Sequence, residues 1–355
     1  MEPQHDTKGI LDQFLTPAFS VKDGCILEVN YAAQRRMLTP GTPVSSLLKA
    51  DPQAYAGFTG GCLYLTLTLG DQDYGAAVTK QEGFDLFVMD HEVEQQQLRA
   101  LALASRELRA PLADIISASD RLLSRLDQMA DAKADAAVIN RSIYQLHRLV
   151  CNMSDAARYE CESVPNQSLI NMAAVFDEVF EKAGVLADHA GITLRYSTTN
   201  APVWGLADEE KLQRAVYNLI SNALKFTPRE GVIDAKLALH GSRLSLTVQD
   251  SGTGIPAELR GSVFNRYQRS ATLEDGRYGI GLGLVIVRAA AAAHGGTVLL
   301  EQPEGLGARF TVTFAVRQST MGTLRAPLPA IDYAGGRDRG LLELADVLPS
   351  TAYEL

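Results

Sequence analysis

Apolar and polar positions alternate along several short stretches between residues 10 and 89. The stretches "AFSVK" and "CILEV" flank the dipeptide Asp23-Gly24, which favours a tight hairpin turn because both residues tolerate positive φ. The segment "YAAQRRML" is typical of a short helix, while "CLYLTLTLG" and "FDLFVMD" have the composition and alternation of strands. The pattern predicts a small α+β domain over residues 9–93.

A helical period replaces this alternation from about residue 92. Small or apolar residues then recur at alternating spacings of three and four, as in a heptad seam: Leu98, Leu101, Ser105, Leu108, Leu112, Ile115, Ser119, Leu122 and Leu126. After the connecting segment "DQMADAKADAA" the rhythm returns at Ile139, Ile143, Leu146, Val150, Met153 and Ala157. The two seams predict a helical hairpin over residues 94–163 that dimerises into a four-helix bundle. A helical spacer without a partner is the alternative.

Pro165 ends the helical pattern, because proline cannot continue a helix and it pushes the preceding residue out of helical geometry. Helix-like and strand-like patterns mix over residues 168–318, which predicts a further domain. The C-terminal stretch, residues 319–355, opens with Gly and Pro and ends in a predicted short helix, "RGLLELADVL".

Composition excludes several classes of protein. The 355 residues are 46% hydrophobic and 21% charged, which suits two or three compact domains. A formal net charge of −9, with Lys and Arg spread along the chain, argues against nucleic acid as a partner. The four cysteines form no CxxC pair, so neither zinc nor a disulfide framework is indicated. Without a long apolar run or a secretory leader we expect no membrane span and a cytoplasmic protein.

A candidate magnesium and polyphosphate site lies in "KLQRAVYNLISNALKFTP". Asn218 and Asn222 are four residues apart, so both amides project from one face of the predicted helix. Asparagine is a poor helix former, although paired asparagines are commonly surface or capping residues. Lys225 continues the face and places a cation beside two neutral oxygen donors, a set suited to a metal-bound polyphosphate.

Two glycine-rich segments follow this helix. "LSLTVQDSGTGIP" predicts a strand that ends at Asp250, then a loop in which Gly252 and Gly254 let the backbone approach a ligand. "YGIGLGLVIV" opens a helix at Gly279, Gly281 and Gly283, and helix N-termini favour anions. A glycine-rich segment of this kind is, by itself, more often a plain structural turn than a phosphate site. Only the order and spacing of the segments along the chain indicate a nucleotide site. The chain has no GxxxxGK[ST] loop, so ATP must be held in another way.

This order resembles the ATP-binding domain of sensor histidine kinases, which belongs to the wider group shared with gyrase and the Hsp90 chaperones. The resemblance extends over about residues 92–317. It implies that Asn222 binds magnesium, with Asn218 one turn before it, that Lys225 contacts phosphate and Phe226 lies beside the adenine. Asp250 then accepts a hydrogen bond from the adenine amino group. The glycines correspond to the loop beneath the nucleotide (Gly252, Gly254) and to the turn after a lid (Gly279, Gly281, Gly283). Ala308 departs from the usual Ser or Thr, so we expect weaker affinity.

The segment "SRELRAPL" resembles the phosphoacceptor box of the same family, but Arg106 stands where the family has its histidine. The resemblance implies that Glu107 occupies the general-base position, unless it is only a salt-bridge partner of Arg106 or Arg109. A guanidinium stays protonated at neutral pH and offers no lone pair, so it cannot replace the nucleophile. Ala110 stands where the family's phosphatase activity uses Thr or Asn. We therefore expect no self-phosphorylation at residue 106.

The resemblance implies a multidomain α+β architecture. The N-terminal segment "AFSVKDGCILEVNYAA" is similar to a PAS sensor, which precedes a helical hairpin forming a dimeric four-helix bundle. The third part is a two-layer α/β sandwich of the histidine kinase, gyrase and Hsp90 ATPase type.

Two functions fit this architecture. One is a homodimeric pseudokinase module in two-component signalling, which binds ATP and Mg and is read by a response regulator or another histidine kinase. The alternative is an active kinase that uses His147 as acceptor or phosphorylates a partner subunit in trans. A chaperone-like ATPase is disfavoured, because the hairpin box is that of the kinases.

Overall fold

The computed structural model describes residues 7–48, 52–90, 108, 112–113, 115–116, 119, 130–161, 166–199, 201–256, 260, 263–264, 282–303, 307–317 and 337–354. Most of the phosphoacceptor-like box, including Arg106, Glu107 and Ala110, lies outside these residues, and so do Gly279 and Gly281. None of the described helices is both long enough and apolar enough to cross a bilayer.

The N-terminal region (residues 7–90) is a five-stranded antiparallel sheet with short helices. Its elements are α1 (Thr7–Leu11), β1 (Ala18–Lys22), β2 (Cys25–Val29), α2 (Tyr31–Gln34), a 3-10 turn (Val44–Ser46), α3 (Pro52–Ala56), β3 (Cys62–Leu69), β4 (Gln72–Gln81) and β5 (Phe84–Met89). The strand order is β2-β1-β5-β4-β3.

Local sequence signals account for much of this region. The Asp23-Gly24 turn joins β1 to β2 as predicted, with φ values of 53° and 77°. The strand β4 was not predicted, because its centre is Gly75-Ala76-Ala77, three residues with weak strand preference. Gly75 is required there, since a Cβ would overlap the Tyr64 hydroxyl on the neighbouring strand. Neighbours on β3 and β5 therefore stabilise β4 more than its own composition does.

A long helix, α4 (Ala130–Cys161), follows in the described part of the chain. It begins inside the segment predicted to connect two helices, because "ADAKADAA" is rich in alanine, the strongest helix former. The residues of the predicted heptad seam on this helix fall into a buried group and an exposed group. Ile143 and Val150 are buried, whereas Ile139 and Leu146 are 50% and 40% exposed.

The C-terminal region (residues 168–317) consists of helices packed on one face of a sheet. Its elements are β6 (Ser168–Asn171), α5 (Met172–His189), β7 (Thr193–Ser197), β8 (Trp204–Ala207), α6 (Glu209–Phe226), β9 (Val232–His240), β10 (Arg243–Asp250), α7 (Gly283–Ala293), β11 (Val298–Glu301) and β12 (Arg309–Ala315). The strands run in the order β11-β12-β10-β9-β7, and β6 pairs separately with β8. Alternate residues of β10 (Leu244, Leu246, Val248, Asp250) are buried, which puts Asp250 on the helix-covered face.

The two sheets join into one ten-stranded sheet, because β3 pairs antiparallel with β11. The joint is reinforced by the guanidinium of Arg288 on α7, which lies 3.1 Å from the Asp90 carboxylate and over the Tyr64 ring. Arg288 also donates a hydrogen bond to the Phe264 carbonyl oxygen, and the Phe264 ring lies 5.7 Å from the Tyr64 ring. No sequence pattern predicted this continuity between the two regions.

The end of the chain is also part of the core. After α8 (Arg339–Glu343) the chain turns and closes with a 3-10 turn (Ser350–Tyr353), which confirms a short helix in "RGLLELADVL" at less than its predicted length. Four of its aliphatic side chains are fully buried: Leu342, Leu344, Ala345 and Leu348. We refer to residues 337–354 as the docked tail.

Candidate nucleotide-binding site

The helix α6 carries the two predicted asparagines on successive turns. It starts at Asp208, whose side chain accepts a hydrogen bond from the Lys211 amide, and its apolar face packs against the sheet. Asn218 is only 1% exposed, and its amide nitrogen donates to the Arg214 carbonyl at 2.8 Å. A Cβ at Gly283 would lie 2.9 Å from the Asn218 Oδ1. The start of α7 therefore packs directly on the Asn218 turn, while Asn222 is half-buried one turn later.

Lys225 and Phe226 end the same helix. The Phe226 side chain is 40% exposed, and the Lys225 ammonium lies 6.0 Å from its ring centroid. Burial lowers the pKa of Lys225 to about 8, while the charge of Asp346 raises it and that of Arg148 lowers it further. Lys225 is thus a poorly hydrated cation next to an exposed aromatic face, a favourable place for a phosphate near a planar base.

Asp250 ends β10 and turns its carboxylate toward the loop that follows. Its Oδ1 accepts hydrogen bonds from the backbone N–H groups of Gly252 at 2.9 Å and Ala308 at 3.2 Å. Burial raises the pKa of Asp250 above the ordinary carboxyl value, and these hydrogen bonds lower it in part. Within the described residues both bonds reach Oδ1, so Oδ2 is the oxygen that a ligand's N–H group can use.

The loop after Asp250 approaches the end of α6 so closely that it requires glycine. A Cβ at Gly252 would overlap the Phe226 carbonyl oxygen. Gly254 has a φ of +72°, in the left-handed region, and a Cβ there would meet the Gln302 side chain. The structure therefore brings together Lys225, Phe226, Asp250 and the two predicted loop glycines.

Two residues that support this loop were not predicted. A Cβ at Gly307 would overlap the Asp250 Oδ1 and crowd the Gly252 amide, so only glycine leaves the carboxylate in place. The paired glycines of "GLGARF" before β12 were a usable signal for it. The Gln302 Oε1 accepts hydrogen bonds from the Ile255 amide at 3.1 Å and the Arg260 guanidinium at 2.8 Å. No sequence pattern points to Gln302.

The donor set fits a magnesium nucleotide. Asp250 offers an acceptor for an amino group, Lys225 a cation for phosphate, and Asn222 a neutral oxygen that suits a hard cation. Among the described residues no cluster of three or more His, Cys, Asp or Glu side chains could hold a metal by itself. A magnesium ion at Asn222 would take its other ligands from phosphate oxygens and water, as magnesium in nucleotide sites usually does. Of the predicted glycine turn after the lid, only Gly283 falls within the described residues.

The chain is similar to known signalling proteins. Residues 207–318 match the family of histidine kinase-, DNA gyrase B- and HSP90-like ATPases. Hybrid signal transduction histidine kinase D of Dictyostelium discoideum is 31% identical over 230 residues, 62% of this chain and 15% of that protein. Histidine protein kinase DivJ of Caulobacter vibrioides is 31% identical over 245 residues, 65% of this chain and 41% of that protein.

One solved structure, of full-length ShkA in complex with AMPPNP, has a TM-score of 0.51 and 27% identity. The match covers 63% of this chain and 47% of ShkA. This chain thus spans less than half the length of each of these three relatives. It carries an ATPase domain of the histidine kinase type and is a homologue of sensor histidine kinases.

Proposed function

We propose that this protein is a two-component signalling protein that binds Mg-ATP between α6, the loop after Asp250 and the start of α7. The observation that carries the proposal is the Asp250 carboxylate. Two backbone N–H groups hold its Oδ1, and Gly307 leaves it room, so Oδ2 is directed by a rigid support. A site built in this way is preorganised for one donor, such as the adenine amino group.

The neighbouring residues then contact the other parts of the nucleotide. Phe226 lies beside the adenine, and Lys225 contacts the phosphates from the end of the same helix. Asn222 holds magnesium, which when bound offsets the charge of the phosphates and orients them. The AMPPNP in the ShkA complex supports the choice of an adenine nucleotide.

The remaining parts of the chain serve signalling without self-phosphorylation. We propose that residues 9–93 are a PAS-like sensor, and the five-stranded antiparallel sheet with short helices supports this. Residues 94–163 form the hairpin of a homodimer, for which the exposed side chains of Ile139 and Leu146 on α4 are apolar surface to be covered. Arg106 cannot accept phosphate, so nucleotide and sensor input act by changing the arrangement of the hairpin, which a response regulator reads.

An active kinase is the alternative, with His147 or a partner subunit as acceptor. His147 lies on α4 beside the exposed Leu146, which favours access, but its Nδ1 is buried, which argues against it. The pseudokinase role is therefore the better supported of the two.

Two measurements on the full chain test the proposal. Calorimetry with Mg-ATP is expected to give a heat of association, and its absence from folded protein would refute the nucleotide site. With γ-labelled ATP we expect no acid-labile label on this chain. Label on this chain alone would identify an active kinase with an unusual acceptor, and label only on an added histidine kinase would indicate transfer in trans. Steady release of free phosphate without label would favour a chaperone-like ATPase.

A further inference from the structure

The docked tail is bound by specific contacts to α4. Asn140 donates a side-chain hydrogen bond to the Tyr353 carbonyl at 3.2 Å, and Gln145 donates one to the Ala345 carbonyl at 3.1 Å. The Tyr353 ring packs edge-on against the Tyr144 ring at 5.1 Å. These contacts join residues about 200 positions apart. The tail therefore occupies a defined position on the helix.

A buried ion cluster ties the tail to α4 and α6 together. The Glu343 carboxylate is 1% exposed and lies 3.6 Å from Arg148 of α4 and 3.4 Å from Arg214 of α6. Asp346 pairs with Arg148 at 2.7 Å, and Asp155 of α4 pairs with Arg214 at 2.8 Å. Buried charges are tolerated only when they are paired. Removing the tail would take away Glu343 and Asp346, the two carboxylates that lie beside Arg148.

The same cluster reaches the nucleotide site. The Arg214 carbonyl accepts the hydrogen bond of Asn218, and Lys225 lies three turns further along α6. Besides burial, which lowers the pKa of Lys225 most, the charge of Asp346 raises this pKa and that of Arg148 lowers it. Asp346 therefore lowers the positive potential at the proposed phosphate contact, both directly and by neutralising Arg148.

We propose that the docked tail is an intramolecular latch that opposes nucleotide binding: it fastens α4 to the ATPase domain through Glu343 and Asp346, and nucleotide loading releases it. The inference rests on the proposed function, because it takes the phosphates to lie at Lys225. A triphosphate there brings negative charge toward Asp346 and competes for the cations that hold the tail. Since coupling between two sites is reciprocal, a weaker latch must bind nucleotide more tightly.

Asp346→Asn in the full chain tests the latch, with Glu354→Gln as the matched control. The Asp346 side chain is 31% exposed, so its substitution leaves the core intact, and Glu354 is an exposed carboxylate in the same tail. We expect Asp346→Asn to bind Mg-AMPPNP about fivefold more tightly than the wild type, the low end of coupling between sites. The control should match the wild type. Equal affinities for Asp346→Asn and the wild type would overturn the inference.

Hydrogen exchange of the tail amides gives a second readout. Several of these amides are bonded within the tail, among them those of Leu342, Leu344 and Leu348. We expect saturating Mg-AMPPNP to speed their exchange in the wild type, because the latch opens more often. If the nucleotide binds and tail exchange does not change, the latch is wrong and the nucleotide site stands. If no nucleotide binds, the proposed function fails, and the latch fails with it.

Discussion

Replacing Asp250 by asparagine tests the centre of the proposed site with little change of shape. The amide oxygen can keep the two hydrogen bonds from Gly252 and Ala308 that Oδ1 now accepts. The amide nitrogen then occupies the position of Oδ2 and presents a donor to the adenine amino group, which is also a donor. A hydrogen bond to a charged group is worth about 1.5–3 kcal/mol. We therefore expect Mg-ATP to bind about 12- to 160-fold more weakly.

The fold should tolerate this substitution. Burial raises the pKa of Asp250, so the surroundings disfavour the charged carboxylate, and a neutral amide removes that penalty. The ionised Asp250 carboxylate loses hydration energy on burial, and its hydrogen bonds recover only part of this loss. The thermal midpoint of Asp250→Asn at pH 7 is thus expected to be equal to or above that of the wild type.

Calorimetry with Mg-ATP and a thermal melt of the same samples measure both effects. Asp234→Asn is the matched control, because Asp234 lies on the adjacent strand and its side chain is 60% exposed. Its affinity should equal that of the wild type. A folded Asp250→Asn variant whose affinity stays within about threefold of the wild type would refute the role of Asp250, since the lost bond alone predicts more.

Three further outcomes are expected. Gly307→Ala should lower the free energy of unfolding by about 1–3 kcal/mol and weaken Mg-ATP binding, because the added methyl group overlaps the Asp250 carboxylate. Gly60→Ala is the control, since a methyl group there meets open space, and thermal melts and Mg-ATP titrations of this variant should match those of the wild type. Affinity for Mg-ATP should fall about tenfold from pH 7 to pH 9, because Lys225, with a pKa of about 8, loses its proton over this range. A wild-type affinity that does not change with pH, a flat profile, would exclude Lys225 as the phosphate contact. Lys225→Arg should give that flat profile. Arg106→His should acquire acid-labile label from γ-labelled ATP, and a folded, nucleotide-binding variant without label would mean that the geometry of the lid or of the hairpin is also lost.

Local spacing was enough to predict those candidate-site residues that the structure brings together. Asn218 and Lys225 lie on one helix, and Asp250 ends a strand with strict alternation, so each signal is contained within a few residues. The glycine at 254 was recognisable because a sharp turn needs positive φ. The sequence could not reveal Gln302, since its role depends on a loop about 50 residues away.

Contacts between distant segments were also beyond sequence reasoning. Glu343 reads as one more charge on a short amphipathic helix, yet it is buried between Arg148 and Arg214. Such pairing has no periodicity, because the partners lie on separate elements. The pairing of β3 with β11 is similar, since the hydrogen bonds of an edge strand carry no preference for a partner in the sequence.

The ten-stranded sheet joins the N-terminal region and the ATPase domain into one continuous sheet. To swing apart, the two would have to break the β3–β11 ladder over three residue pairs and expose the interface around Tyr64 and Phe264 to water. From β2 at the far edge, an unbroken series of strands paired by peptide hydrogen bonds leads to β7. The long helix α4 is connected to this sheet differently, because side chains rather than a backbone ladder make the contact. We therefore expect relative motion in this molecule to occur between α4 and the sheet.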